Sequence, residues 1–261
     1  MHLRTLGTRV AVAALLVVVA SRASANPYIY GDFLGANLDF LSVSETVNTG
    51  EPDPLFGGVL GPQRVGNQLL WFPTSFSSSS ANGSADNTSS TLNMILESKN
   101  GETMDSVTIT ELGDYLLGGV GTTATSASIS GLLTVTVTHI NGAPVPGFPP
   151  FILLTDSLDI IDPPGASSPF QLGVDPNSDE FTAVMSVLLP AGTTRLIINM
   201  NNNLATSSEP GTSALIEKKF VGGPAVIFEV NGPIIPEPST LALLGTGLLM
   251  LSGVAFRRRR R

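Results

Sequence analysis

The sequence contains no cysteine, and only two of its 261 residues are histidine. Disulfides, a thiolate nucleophile and cysteine-ligated metals are therefore excluded. His139 is the only histidine after residue 2, so a multi-histidine metal site is excluded as well. A Ser-His-Asp triad would depend on this one side chain. We interpret His139, at the end of an alternating apolar stretch, as a surface residue and not a catalyst.

Basic residues are scarce between residues 26 and 235, where five Lys and Arg stand against twenty Asp and Glu. The formal charge of this segment is −15, against −8 for the whole chain, because most of the basic residues lie near the two ends. Nucleic-acid binding is excluded, since phosphate contacts need a cationic surface. An acidic body of this kind stays soluble and attracts divalent cations.

The first 25 residues have the three parts of a secretory signal peptide. Arg4 and Arg9 precede an apolar run of eleven residues, and Ala23 and Ala25 form a small-x-small cleavage site before Asn26. This pattern predicts export by the Sec machinery and cleavage by signal peptidase. The alternative is an uncleaved membrane anchor, for which the apolar run is short.

The last 26 residues also fall into three parts. A Pro236-Glu237-Pro238 motif precedes a sixteen-residue apolar-to-small run from Leu241 to Phe256. Sixteen residues are near the lower limit for a helix that spans a bilayer core of roughly 30 Å. The chain ends in a basic cluster, which would stay on the cytoplasmic side: Arg257, Arg258, Arg259, Arg260 and Arg261. The alternative is a buried helix of a soluble protein, against which the terminal arginines argue.

This order of motif, apolar helix and arginine cluster resembles the PEP-CTERM sorting signal of Gram-negative bacteria. The resemblance covers only residues 236–261. It implies an exported protein held briefly in the inner membrane and handled by an exosortase, a membrane-embedded cysteine transpeptidase. It also implies cleavage near Pro236 to Pro238, and a setting in which extracellular polysaccharide is made. It implies no activity for residues 26–235, because bodies that carry this signal are diverse.

Residues 26–235 have the alternation of an all-β domain, with Gly, Pro, Asn and Ser between the apolar runs. The pattern predicts a β-sandwich of jelly-roll type. Residues 74–91 are rich in serine and asparagine, and we expect a mobile loop or a disordered linker there. The predicted strands are Tyr28–Phe33, Leu38–Val43, Leu69–Phe72, Leu92–Glu97, Ser106–Glu111, Ser128–Ile140, Phe151–Leu154, Phe181–Leu188, Arg195–Asn201 and Ala225–Val230.

Carboxylates cluster at two places in the body. Three aspartates follow the predicted Phe151–Leu154 strand, and a second group has the D-x-N-x-D spacing that can surround Ca²⁺. Glu180 stands where an EF-hand loop needs glycine, so the second group is either an irregular calcium loop or a solvated acidic turn. No cofactor other than Ca²⁺ is expected. The two groups are Asp156, Asp159 and Asp162, and Asp175, Asn177 and Asp179.

Three functions remain open on these observations. The first is a non-enzymatic cell-surface or extracellular-matrix protein, favoured by the two terminal signals and the scarcity of catalytic residue types. The second is a carbohydrate-binding or adhesive module, with or without calcium. It would need exposed aromatic rings, whereas Trp71 lies in an apolar run and is expected in the core. The third is a secreted hydrolase that uses paired carboxylates.

Overall fold

The computed structural model describes residues 27–48, 51, 54–58, 60–122, 124–147, 149, 151–162, 170–171, 180–219 and 222–232. These residues form β-strands and no helix, so nothing in this part of the chain could cross a membrane as a helix. The strands are β1 Tyr28–Phe33, β2 Leu38–Val47, β3 Gln63–Val65, β4 Gln68–Trp71, β5 Ser77–Ala81, β6 Ala85–Ser98, β7 Met104–Gly118, β8 Val120–Gly121, β9 Ser126–Ile140, β10 Ala143–Pro144, β11 Ile152–Asp162, β12 Phe170–Gln171, β13 Glu180–Ser207, β14 Ser213–Glu217 and β15 Val226–Asn231.

The long strand β13 organises the fold because its two halves pair with different neighbours. Its second half lies between β6 and β9, which gives the order β1-β2-β6-β13-β9-β11. Its first half pairs with β7, and the sheet continues through β15, β4 and β3. The pairing with β7 shifts register between Leu188 and Thr193, where Gly192 adopts a φ of 81°. A positive φ favours glycine. This irregularity allows the two halves of β13 to belong to two layers: one contains β1, β2, β6, β9 and β11, and the other contains β7, β15, β4 and β3.

The strands alternate between apolar residues that face the core and polar residues that face outward. In β9, Leu133, Val135 and Val137 have no exposed surface, and the threonines between them are half-buried. Alternation of this kind is expected of a sheet with one buried face. The prediction of an all-β body is confirmed, and the described strands form a sandwich-like arrangement in which every pair is antiparallel.

Aromatic rings around Trp71 form a cluster within the core. The Trp71 ring is fully buried, and its centroid lies 5.1 Å from that of Tyr30, 6.1 Å from Phe56 and 6.4 Å from Phe228. Phe56 in turn meets Phe76 edge-on at 4.8 Å. Tilted and edge-to-face contacts of this kind add to the stabilisation from burial. The prediction that Trp71 packs in the core is confirmed.

Three sequence-based expectations need correction. Residues 74–91 are not a loop or linker, because they contain β5 and the first half of β6. Their serines and threonines alternate in burial, with Ser78 and Ser90 inside. The predicted Phe151–Leu154 strand begins one residue later and runs on as β11 to Asp162, so the three aspartates lie within a strand and do not follow one. The two strands predicted between residues 181 and 201 are parts of the single strand β13.

Candidate functional site

Most of the predicted site residues lie outside the described residues. These are the cleavage site at Ala23, Ala25 and Asn26, the candidate calcium turn, and the whole C-terminal signal. Their assignments therefore stay predictions. Among the residues that the structure describes, no group of three or more His, Asp and Glu side chains is placed to hold a metal ion.

Among the predicted candidates, the side chains of His139 and Asp156 are described, and both have structural contacts, whereas those of Asp159 and Asp162 lie outside the described side chains. His139 lies half-buried in β9, and its Nδ1 is 3.1 Å from Oγ1 of Thr138. Asp156 accepts hydrogen bonds from the backbone N–H of Ser157 at 2.8 Å and of Ser186 at 2.7 Å. Ser186 belongs to β13, so the Asp156 carboxylate ties β11 to the first half of that strand.

Sequence analysis missed a set of polar side chains in the core. We call it the interior polar cluster: Tyr30, Glu45, Ser90, Glu111, Asn202 and Lys218. Four of its members lie on β2, β6, β7 and β13, where they occupy positions at which the neighbouring inward residues are apolar. In β7, for example, Glu111 follows Val107 and Ile109 on the buried face. The strand alternation thus directs these polar groups inward.

One half of the cluster is built on Glu45, which has no exposed surface. Its Oε1 accepts hydrogen bonds from the backbone N–H of Leu55 at 2.9 Å and of Phe56 at 3.0 Å, and from the Ser90 hydroxyl at 2.7 Å. Its Oε2 accepts from the Tyr30 hydroxyl at 2.6 Å. A buried carboxylate needs this many donors to offset the loss of water. Glu45 therefore fixes the turn at Leu55 and Phe56 against the sheet.

The other half is built on Glu111, which is also fully buried. Its Oε2 lies 2.6 Å from Nζ of Lys218, the residue directly after β14. Nδ2 of Asn202 lies 2.7 Å from Oε1 and 2.8 Å from Oε2 of the same carboxylate. Nζ of Lys218 also lies 5.1 Å from the ring centroid of Phe56 and 5.0 Å from that of Phe76. An amine, a carboxylate and a carboxamide thus meet in a compartment lined by aromatic rings.

Burial sets the electrostatics of the cluster. The Lys218 side chain has no exposed surface, and desolvation lowers the pKa of its amine while the neighbouring charges of Glu111 and Glu45 oppose that shift. Burial and the Glu45 charge raise the pKa of Tyr30 far above its usual value. Both shifts favour the uncharged form of the side chain in a medium of low dielectric constant.

A cleft of about 370 Å³ lies beside the segment that contains Lys218. It is lined by residues 73–77 and by Glu217, Lys218 and Lys219, and an ion pair of 3.1 Å joins Glu217 to Lys219. Phe76 in its lining is buried, so the cleft presents no exposed aromatic ring for a sugar to stack on.

The comparison with family models concerns the C-terminal end. Residues 235–260 match the model for the PEP-CTERM protein-sorting motif. The chain carries this sorting motif. The match includes the Pro236-Glu237-Pro238 sequence and the apolar run, and confirms the resemblance from which these residues were predicted. The PEP-CTERM motif indicates export and transient membrane anchoring through an exosortase-type system.

Other comparisons add little about the body. No curated protein shows significant sequence similarity to the chain. A structure of TmCBM61 in complex with beta-1,4-galactotriose is 10% identical, with 57% of this chain and 70% of that chain covered and a TM-score of 0.22. The enzymatically active domain of bacteriophage CBA120 tailspike protein 4 is 16% identical, with 63% and 19% covered and a TM-score of 0.18. Scores this low carry no argument about fold or ligand.

Proposed function

We propose that this chain is a non-enzymatic cell-surface or extracellular-matrix protein, sorted by an exosortase-type system in a Gram-negative bacterium. The observation that carries the proposal is the match of residues 235–260 to the PEP-CTERM sorting motif. In this proposal signal peptidase removes residues 1–25, the apolar run at 241–256, predicted from the sequence to be a helix, holds the precursor in the inner membrane, and cleavage near Pro236 to Pro238 releases the body.

The charge and the fold of the body are consistent with an extracellular location. It is strongly acidic between residues 26 and 235, which keeps it soluble at high local concentration. Its described strands form one antiparallel, sandwich-like unit, and we assign it to the jelly-roll type within that architecture. The sorting motif suggests that such a protein is located in or near extracellular polysaccharide.

Two observations support a body without catalytic activity. The Nδ1 atom of His139 contacts the hydroxyl of Thr138, its neighbour in the chain. The carboxylate of Asp156 accepts hydrogen bonds from two backbone N–H groups. The interior polar cluster lies beyond the reach of an external substrate, because Glu45, Glu111 and Asn202 have no exposed surface.

A carbohydrate-binding or adhesive role is the second candidate. It is favoured by an exposed ring that another ring holds in place: Tyr28 is 43% exposed, and its ring centroid lies 4.8 Å from that of Tyr30. A ring held in place in this way could act as a stacking platform for a sugar. Glycan-array binding by the purified body, lost in Tyr28→Ala and kept in Leu34→Ala at another exposed apolar position, would favour this role over a purely structural one. A thermal shift on adding Ca²⁺ would indicate that binding is calcium-assisted.

The sorting proposal is tested by cell fractionation and mass spectrometry of the C-terminus. In a host with the exosortase, the surface or extracellular fraction should contain protein that ends near residues 236–238. In a host without it, full-length precursor should accumulate in the inner membrane. Recovery of protein with Arg257–Arg261 intact at the surface of the first host would refute the proposal.

A further inference from the structure

The interior polar cluster contains the three groups needed to make an amide bond between two side chains. Lys218 offers an amine, Asn202 offers a carboxamide, and Glu111 lies between them. We propose that Lys218 and Asn202 become joined by an intramolecular isopeptide bond, with Glu111 transferring the proton. The body would then carry a covalent cross-link through its core.

The contacts place the reacting groups together. Nζ of Lys218 is 2.6 Å and Nδ2 of Asn202 is 2.8 Å from the same oxygen, Oε2 of Glu111, so the two nitrogens cannot be farther apart than the sum of these distances. Both groups are held on one carboxylate, so little translational or rotational freedom remains to be lost when they react, and this favours the reaction. Three separate segments, β7, β13 and the residue after β14, are needed to assemble this geometry.

Two polar atoms of the cluster are incompletely satisfied. Among the described residues, Oδ1 of Asn202 is buried and has no hydrogen-bond partner, and Nζ of Lys218 has none beyond its ion-pair contact with Glu111. Leaving such groups unpaired in a core is costly, so a purely structural role for them is poorly supported. Formation of the amide would remove the buried amine altogether.

The surroundings make the amine a nucleophile. An ammonium group does not attack a carbonyl, but burial lowers the pKa of Lys218 and the carboxylate at 2.6 Å can accept its proton. Transfer of that proton turns a buried ion pair into two neutral groups, which a low-dielectric core favours. The rings of Phe56 and Phe76 shield the amine on other sides and keep it dry.

The reaction balances without an oxidant or any other co-reactant. Nζ of Lys218, having given one proton to Glu111, attacks Cγ of Asn202 and forms a C–N bond. Glu111 then protonates Nδ2 and takes a second proton from Nζ, the Cγ–Nδ2 bond breaks, and ammonia leaves. Glu111 ends as the neutral acid, so no charge is left unpaired.

The position of this bond gives it a mechanical consequence. Asn202 lies in the half of β13 that pairs with β6 and β9. Lys218 directly follows β14, which pairs with β5 and β7. The bond would therefore connect the two layers. An exported body without cysteine has no disulfide for this purpose.

Peptide mass spectrometry of the purified, exported protein tests the proposal directly. Trypsin cuts after Arg195 and Lys219, and an acylated Lys218 resists it; the expected peptide 196–219 is lighter than its sequence by about 17 Da, the mass of ammonia. A further cut by a glutamate-specific protease after Glu217 should then leave Lys218-Lys219 attached as a branch at Asn202. Peptides of unmodified mass, cut normally after Lys218, would overturn the proposal.

Two variants distinguish formation of the isopeptide bond from other reactions that also release ammonia. Lys218→Met should restore the full mass of the peptide that contains Asn202, and the matched change Lys219→Met should leave the linkage intact. A loss of about 17 Da that persists in Lys218→Met would mean that an asparagine of this peptide had cyclised without Lys218, and it would overturn the proposal.

A third variant tests the role of Glu111 in proton transfer. Glu111→Gln keeps the shape of the side chain but cannot accept the proton, and it should give unlinked protein. Linked protein from Glu111→Gln would contradict the role given to Glu111. The mass of the wild-type peptide decides whether the bond exists, so a variant that fails to fold leaves that conclusion unchanged.

Discussion

The hydroxyl of Tyr30 donates a 2.6 Å hydrogen bond to Oε2 of Glu45, a carboxylate with no surface exposed to water. The same hydroxyl oxygen accepts the backbone N–H of Gly57 at 3.0 Å. One tyrosine thus connects β1, β2 and the turn that follows β2. The position of the first strand, at the edge of its layer, depends on this polar contact as well as on pairing with β2.

Replacement of Tyr30 by Phe should destabilise the body by about 2 kcal/mol, because it removes a hydrogen bond to a charged group and leaves Glu45 short of one donor. Urea unfolding of the purified body would measure the change in free energy. Tyr28→Phe is the matched control, since Tyr28 is exposed and should change stability little. Equal effects of the two changes would contradict the importance given to the Tyr30 contact.

Alkaline pH should destabilise the body through the same tyrosine. The usual pKa of Tyr30 is 10.0, and burial and the charge of Glu45 raise the pKa in the folded protein. Above pH 10.0 the unfolded chain loses this proton while the folded protein keeps it, so stability falls as the pH rises. The difference in unfolding free energy between wild type and Tyr30→Phe should therefore shrink above that pH. A difference that stays constant would count against the raised pKa.

At acid pH the body should lose the stabilisation that comes from the ion pair between Lys99 and Asp39. Burial alone would raise the pKa of the Asp39 carboxyl, but hydrogen bonds from Lys99 Nζ and from the Gly35 N–H, both at 2.8 Å, hold it below the usual 3.8. A lowered pKa stabilises the fold above 3.8, and this contribution is lost as the pH falls through the folded-state value. Asp39→Asn should therefore flatten the acid side of a stability–pH curve, and Lys99→Met should flatten it in part. An unchanged acid limb in Asp39→Asn would be the contrary result.

Strand positions are predictable where apolar and polar residues alternate regularly. The predicted strand Tyr28–Phe33 has the bounds of β1, and the alternation at Leu133 to Val137 lies in β9 as expected. The prediction for residues 74–91 is wrong because serine and asparagine have low hydropathy and suggest a loop, whereas here Ser78 bonds Thr206 across the core at 3.0 Å. Buried hydroxyls satisfied by one another are invisible to a hydropathy pattern.

The interior polar cluster has a signal in the sequence. Glu45 stands between Val43 and Val47, and Asn202 between Met200 and Leu204, each at a position where strand alternation demands an inward residue. A charged or amide side chain at an inward-facing position of a strand indicates a buried polar group. The contacts between the members of the cluster could not be predicted. Lys218 follows β14, far along the chain from Glu111 in β7, and only the three-dimensional fold brings the two side chains together.

Replacement of Glu237 by Ala should block sorting without affecting the fold. Because proline fixes its own φ and disfavours helix in the residue before it, the sequence predicts that the motif offers the Glu237 carboxylate on a stiff, extended segment, which a membrane-embedded enzyme could bind at low entropic cost. The variant should accumulate as full-length precursor in the inner membrane, measured by fractionation and immunoblotting. Glu229→Ala, in β15 of the body, is the matched control and should be delivered normally. Thermal unfolding of the Glu237→Ala body should match wild type. Normal surface delivery of Glu237→Ala would show that the exosortase does not require this carboxylate.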